Sequence, residues 1–288
     1  MNKFSSVLVL LGLSSGVYAN PDVTSREYKL MLDASLFSYN TEASNVDSFL
    51  DDAEIAIEMA IDRNVTGSES LEKNRAVTFY DTDGDCQLKE LGYSFRERIE
   101  NGDSEVTLKF RSPDRYISDF EDLSANSSSA ATKLESDIGT SSVSTFKAVY
   151  SHSTTIDNTR TINEIEDIND EFPGFEDDYN LSNSINLGIV GNITIREHVY
   201  RGHEIDLGQH DADISVTLWY NGTPSGNDQP VVVEVSFKYE DSGADYTKKV
   251  VHRAKEVFNS LQDLTTWTNP NSQTKTGWIY AYDPNFCN

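Results

Sequence analysis

The sequence predicts an α+β protein, a single β-rich domain with amphipathic helices packed outside its sheet. Three observations predict it. Charged and apolar residues alternate in segment after segment, the period of two that gives a strand one wet and one dry face. Two longer segments, 42–63 and 247–264, instead repeat apolar residues at helical spacing, and each needs an apolar sheet face to cover. No internal repeat and no long linker divides the chain, so residues 20–288 read as one domain.

The elements follow in order. Residues 27–34 alternate and read as a strand. Val46, Phe49, Leu50, Ala53, Ile57 and Ala60 form the apolar stripe of the first helix. A strand over 76–80 runs into the turn Asp81-Thr82-Asp83-Gly84-Asp85. Strands over 93–100 and 105–111 flank Asn101-Gly102-Asp103, a strong hairpin signal. Residues 124–130 are small and polar, a loop, and strands follow over 132–138 and 144–150. The acidic stretch 161–187 reads as mixed and mainly helical. Strands return over 192–200, 212–220 and 231–240, with a Gly- and Pro-containing loop over 221–226. Val250, Val251, Ala254, Val257, Phe258 and Leu261 stripe the second helix, and a last strand is expected over 278–282.

The N-terminus has the pattern of a cleavable signal peptide: a basic start, the apolar run from Val7 to Leu13, then Val17-Tyr18-Ala19. Cleavage near Ala19 and export to a periplasm or beyond are expected. The apolar run is far shorter than the about 20 residues a membrane helix needs, and no later run is longer, so no membrane partner is expected. Forty-eight acidic against 23 basic residues give a net charge of −25. Such a surface repels duplex nucleic acid and anionic lipid, so an anionic ligand must find a local basic site. Cys86 and Cys287 are the two cysteines, and an isolated pair in an oxidising compartment predicts a disulfide.

The alternation sorts charges onto one face. Glu27 and Lys29 oppose Tyr28 and Leu30; Arg96 and Arg98 share a face. Thr107, Lys109 and Arg111 oppose Val106, Leu108 and Phe110, and Lys133, Glu135 and Asp137 oppose Leu134 and Ile138. Thr194, Arg196 and His198 are read against Ile193, Ile195 and Val199; Glu234, Ser236 and Lys238 against Val233, Val235 and Phe237. In an open antiparallel sheet that charged face would lie in water. If the helices cover the apolar outside of a closed sheet, it lines an interior instead.

The run Phe79-Tyr80-Asp81-Thr82, continued by Leu88-Lys89-Glu90-Leu91-Gly92 into Arg96-Glu97-Arg98 and then Thr107-Leu108-Lys109, resembles the CYTH, or triphosphate tunnel metalloenzyme, superfamily. Glu27-Tyr28-Lys29 resembles the end of that family's Glu-x-Glu-x-Lys signature, and residues 233–237 its later acidic strand. The resemblance implies an antiparallel, eight-stranded, tunnel-like β-barrel with helices outside, holding a triphosphate or similar small phosphorylated anion. It implies that Lys29, Arg96, Arg98, Lys109, Arg196 and Lys238 bind phosphate oxygens. It further implies that Glu27, Glu135, Asp137 and Glu234 hold Mg²⁺ or Mn²⁺, with catalysis resting on Glu27 and Glu234. The chain departs from the pattern at Ser25, where the signature has its first glutamate, and at Ser236 and Lys238.

Other signals rank lower. Asp81 to Asp85 imitates a calcium loop, but Cys86 and Gly92 stand where that loop needs glycine and glutamate. His198, His203 and His210 match no zinc-ligand spacing. Nucleophile-elbow, phosphate-loop and His-Glu-x-x-His motifs are absent. Two principal readings stand: a metal-dependent phosphohydrolase, or a non-catalytic exported binding or interaction module on the same fold. The oligomeric state is left open.

Overall fold

The computed structural model describes residues 23–140, 145–269 and 271–288. The expected signal peptide, residues 1–19, lies outside the described residues, as does Ser144 at the head of one expected strand. Ten strands form one sheet: β1 (Ser25–Met31), β2 (Val65–Thr82), β3 (Tyr93–Glu100), β4 (Asp103–Ser112), β5 (Ala131–Gly139), β6 (Lys147–Asp157), β7 (Leu187–Ile189), β8 (Ile195–Asp206), β9 (Asp211–Asn221) and β10 (Val232–Glu240). Among the described residues seven α-helices join or cover them: α1 (Glu42–Ile61), α2 (Gln87–Glu90), α3 (Arg115–Phe120), α4 (Glu166–Asn169), α5 (Pro173–Tyr179), α6 (Lys248–Asp263) and α7 (Lys275–Tyr282).

Strand order is β3-β4-β6-β5-β1-β10-β9-β8-β2-β7, and β2 also pairs with β3. The hydrogen-bonded neighbours therefore close into a ring of nine strands, with three-residue β7 attached to β2 beyond the end of β8. The expected eight antiparallel strands become ten in a mixed sheet, because β1 runs parallel to β5. The hairpin of β3 and β4 forms as the sequence requires. Asn101 and Gly102 both take positive φ, 54° and 95°, the conformation of a two-residue turn that matches strand twist.

Two apolar clusters lie outside the ring. In one, Val46, Phe49, Leu50 and Ile57 of α1 meet Val250, Ala254, Val257 and Phe258 of α6 over Tyr28, Leu30, Val216, Val235 and Phe237. Tyr28 and Phe237 stack there at 4.7 Å. Each such side chain contributes about 1.5–3 kcal/mol on full burial, so the two helices hold the β1-β10-β9-β8 wall in place. In the other, Phe95, Leu108 and Phe110 pack beneath Ile165, Ile168, Phe172 and Phe175 of the α4–α5 region. A third cluster sits inside one end of the ring. Val77, Phe79, Ile195, Trp219 and Val232 surround Ile279 of α7. The final segment is thus a helix where a strand was expected. Thr274 caps it by accepting from the Gly277 N–H, and Ile279 alone among its residues is fully buried.

Three other expectations shift. Expected strand 76–80 lies near the end of β2, whose residues 66–75 carry no apolar side chain but Leu71 and are mostly exposed. Expected strand 144–150 is β6, which runs on to Asp157. The 161–187 stretch holds only the short α4 and α5 within loop. No helix among the described residues is long and apolar enough to cross a membrane.

Candidate functional site

The register fixes which side chains face the inside of the ring. On β1 and β10, Glu27 lies opposite Lys238, Lys29 opposite Ser236, and Met31 opposite Glu234. Across the parallel pair, Ser25 lies beside Glu135 and Glu27 beside Asp137. Lys109 and Lys133 flank Ser153, while Arg111 and Glu135 flank Ser151. Arg96 lies opposite Thr107 and Phe79; Arg98 opposite Glu105 and Val77; Arg75 opposite Glu197. Side chains from every wall therefore converge.

On one side lysines and carboxylates neutralise each other. Lys29 Nζ lies 2.7 Å from Glu27 and 3.0 Å from Asp137. Lys109 Nζ lies 3.6 Å from Glu135 and 3.5 Å from Asp137, and Lys133 donates to Glu135 at 2.8 Å. Burial pushes the Glu27 carboxyl up, but Lys29 beside it wins and holds it down at about 2. Asp137 is likewise held far below the usual range against burial, by Lys29 and Lys109, with Ser151 donating to it at 2.6 Å. Lys109 is the exception among the lysines. Burial, helped by Arg111 and Lys29, outweighs its carboxylates and brings it down to about 8.

On the other side the cations are arginines. Arg75 Nε donates to Glu197 at 2.6 Å, Arg98 Nε lies 3.6 Å from the same oxygen, and Trp219 Nε1 donates to Glu197 at 2.7 Å. Against a large burial cost, Arg98 and Arg75 keep this fully enclosed carboxylate ionised. Arg96 has no such partner. Among the described residues it makes no ion pair, and its Nε is buried without a hydrogen bond. Burial first, then the like charge of Arg98, and also Arg75 and Arg111, disfavour its charged form and together outweigh the favourable charge of Glu197. Yet Arg96, Arg98, Lys29 and Glu27 keep a share of exposed surface while lying deep among protein atoms. The interior is therefore reached by water.

In the middle of the ring cations outnumber carboxylates: Lys29, Arg75, Arg96, Arg98, Lys109, Arg111, Lys238 and Lys275 against Glu27, Glu135, Asp137, Glu197 and Glu234. Exposed carboxylates on the same faces, Glu105, Asp157, Asp213 and Glu240, add negative charge beside Arg98 and Lys238. A locally positive interior inside a chain of net charge −25 can attract and enclose an anion.

The structure brings together Glu27, Lys29, Arg96, Arg98, Lys109, Glu135, Asp137, Glu234 and Lys238, but not Arg196. Arg196 is on the outer face of β8, opposite Ala76 and Tyr220. The alternation of β8 is the reverse of the sequence reading. His198 and Tyr200 turn outward because they donate, with Tyr220, to the Glu42 carboxylate at the start of α1, at 2.8, 3.0 and 2.7 Å. Glu197 and Ile195 consequently face inward. Sequence reasoning missed Arg75, Glu197 and Lys275. For Arg75 the usable signal was its in-phase spacing with Val77 and Phe79; for Glu197 and Lys275 there was none.

The expected metal donors do not gather into a metal site. Among the described residues no group of three His, Cys, Asp or Glu could hold a metal ion. Glu234 lies opposite Met31 and Thr217, neither a carboxylate, and its own partner is Lys275 Nζ at 2.8 Å. The calcium-loop look-alike is structural: Asp81 accepts from the Leu88 and Lys89 N–H groups at the start of α2 and from Tyr280 Oη. Cys86 and Cys287 form a disulfide, 201 residues apart in sequence, pinning the tail to that turn.

No family model and no curated protein matches the chain. Solved structures align along most of it. A candidate adenylyl cyclase from Hippeastrum, described as having a dominant triphosphatase activity, shows 12% identity and a TM-score of 0.43, covering 90% of this chain and 95% of that one. A candidate adenylate cyclase from Bacillus halodurans shows 14% identity and a TM-score of 0.37, covering 88% and 95%. One from Vibrio parahaemolyticus shows 12% and 0.36, covering 88% and 94%. These neighbours are adenylyl cyclase-like and triphosphatase proteins, the class that residues 79–109 resemble. At such identities and TM-scores they say nothing about what this chain does.

Proposed function

We propose that the ring is a tunnel, closed at one end by α7, that binds a triphosphate or other polyphosphate anion. The observation that carries this reading is Arg96: a guanidinium deep in a water-reached interior, with no ion pair among the described residues, beside Arg98, Arg75 and Arg111, and compensated only in part by the more distant Glu197. An under-compensated buried charge costs stability unless something pays that cost when it binds. A polyphosphate supplies several negative oxygens to a planar fork and to the compact ammonium of Lys109 across the same face. Phosphate chains fit better than one carboxylate because the cations extend along the interior, from Lys238 through Lys29 and Lys109 to Arg96.

Holding the anion is the chain's own work. Arg96 and Arg98 grip its oxygens, Glu197 orients Arg75 and Arg98, and Asp137 positions Lys29 and Lys109. Glu27 and Glu234, the expected catalytic pair, are each held by a lysine, an arrangement that favours binding over use as a base. The disulfide supports the further proposal that the chain works in an oxidising, extracytoplasmic compartment.

The test is thermal melting of the protein with tripolyphosphate, with phosphate release assayed in parallel. A rise in melting temperature, lost at high salt and in Arg96→Ala, is the expected result. Steady phosphate release would make the protein a hydrolase as well. No shift at low salt would refute anion binding in the ring.

A further inference from the structure

α7 brings one charged residue into the ring. Lys275 stands at its first position, just after the capping Thr274, and reaches Glu234 at 2.8 Å. Glu234 is buried, and Lys275 is half-buried. The ammonium also acts on Glu197, the counter-ion of Arg75 and Arg98, so it stands between the acidic strand and the arginine side. Its placement is well fixed. Ile279 is buried among Phe79, Trp219 and Val232, Tyr280 donates to Asp81 at 2.7 Å, and the disulfide holds the tail behind them.

Glu234 has no second carboxylate opposite it on either neighbouring strand, so the cation it holds is supplied by the chain itself. An ammonium has three donors, and one engages Glu234. The others remain for oxygens of an anion seated against Arg98 and Arg96.

Resting on the polyphosphate reading above, we infer that Lys275 supplies in cis the positive charge a divalent metal would bring to Glu234. It is a direct ligand of the anion, and the site binds polyphosphate without metal.

Isothermal titration of tripolyphosphate into metal-stripped protein with EDTA present tests this, using wild type, Lys275→Ala, Lys275→Arg and Arg96→Ala, with thermal melts to confirm folding. The expected result is binding by wild type in EDTA, weakening by roughly tenfold or more in Lys275→Ala, and recovery in Lys275→Arg. Lys275→Gln serves if the alanine variant is unstable. Wild-type binding that appears only after Mn²⁺ or Mg²⁺ is added would overturn the inference. So would Lys275→Ala binding as tightly as wild type while Arg96→Ala binds weakly; either leaves the polyphosphate reading intact. No binding by wild type in any condition would overturn both.

Discussion

Replacing Arg96 by methionine should make the protein more stable and the site worse. Arg96 lies among Arg98, Arg75 and Arg111 with no ion pair among the described residues, so Glu197, which it shares with Arg75 and Arg98, offsets only part of the cost of its charge. Methionine keeps the aliphatic stem and removes the charge, leaving Glu197 to balance only Arg75 and Arg98. Swapping buried charge for apolar side chains is often worth 1–4 kcal/mol, and residual contact with interior water argues for the lower part of that range, about 1–2 kcal/mol. For a chain of this size 1 kcal/mol moves the melting point by about 2–4 °C, so a rise of about 2–8 °C is expected. Tripolyphosphate affinity should fall by about tenfold or more with the loss of a bidentate donor. Differential scanning calorimetry and titration calorimetry on the same samples read both. A lower melting point with unchanged affinity would refute the reasoning, since it would mean that Arg96 holds the fold and not a ligand.

Glu197→Gln should do the reverse, losing about 3–5 kcal/mol because two arginines and the Trp219 N–H keep only a neutral partner; chemical denaturation measures it, and a loss below about 1 kcal/mol would contradict that role. Lys109, held near 8 against an ordinary lysine value near 10.4, is charged below pH 8 and neutral above it in the folded protein. The unfolded chain binds the extra proton between about pH 8 and 10.4, so the Lys109 contribution to stability rises across that window, while anion affinity falls as pH passes 8. Tripolyphosphate should draw that proton back, and titrations near pH 8.5 in buffers of different ionisation enthalpy should show uptake; none would exclude Lys109 from the site. Reducing Cys86–Cys287 should lower stability by up to about 5 kcal/mol, as expected for a 201-residue loop, and weaken the anion as Lys275 loses its anchor; equal melts with and without reductant would contradict this. Glu42→Ala should cost about 3–5 kcal/mol, leaving His198, Tyr200 and Tyr220 without their shared acceptor, and hydrogen exchange in α1 should rise.

The two sides of the site differ in how far the sequence discloses them. The β3–β4 hairpin is legible because Asn101-Gly102 sets its register and the flanking alternation is clean; Arg96, Arg98, Lys109 and Arg111 then fall on one face without ambiguity. β5 is legible from its alternation alone, with Lys133, Glu135 and Asp137 opposite Leu134 and Ile138. β8 is not. Polar residues on its outer face satisfy Glu42, and apolar ones on its inner face meet α7, so the usual inside-outside assignment inverts and exchanges Glu197 for Arg196. Residues 66–75 of β2 hide because they carry no apolar side chain but Leu71, concealing Arg75. The parallel β1–β5 contact depends on closure of the sheet, which no local pattern encodes. Lys275 is invisible for a related reason: Trp278-Ile279-Tyr280 fits strand or helix equally, and only docking into the ring end decides.

The most direct test of the central claim is a crystal structure of the protein grown or soaked with tripolyphosphate. Phosphate density inside the ring is expected, within hydrogen-bond reach of Arg96 and Arg98 and facing Lys109 and Lys275. Anion density confined to the outer surface, or an interior filled by water alone at saturating tripolyphosphate, would contradict it.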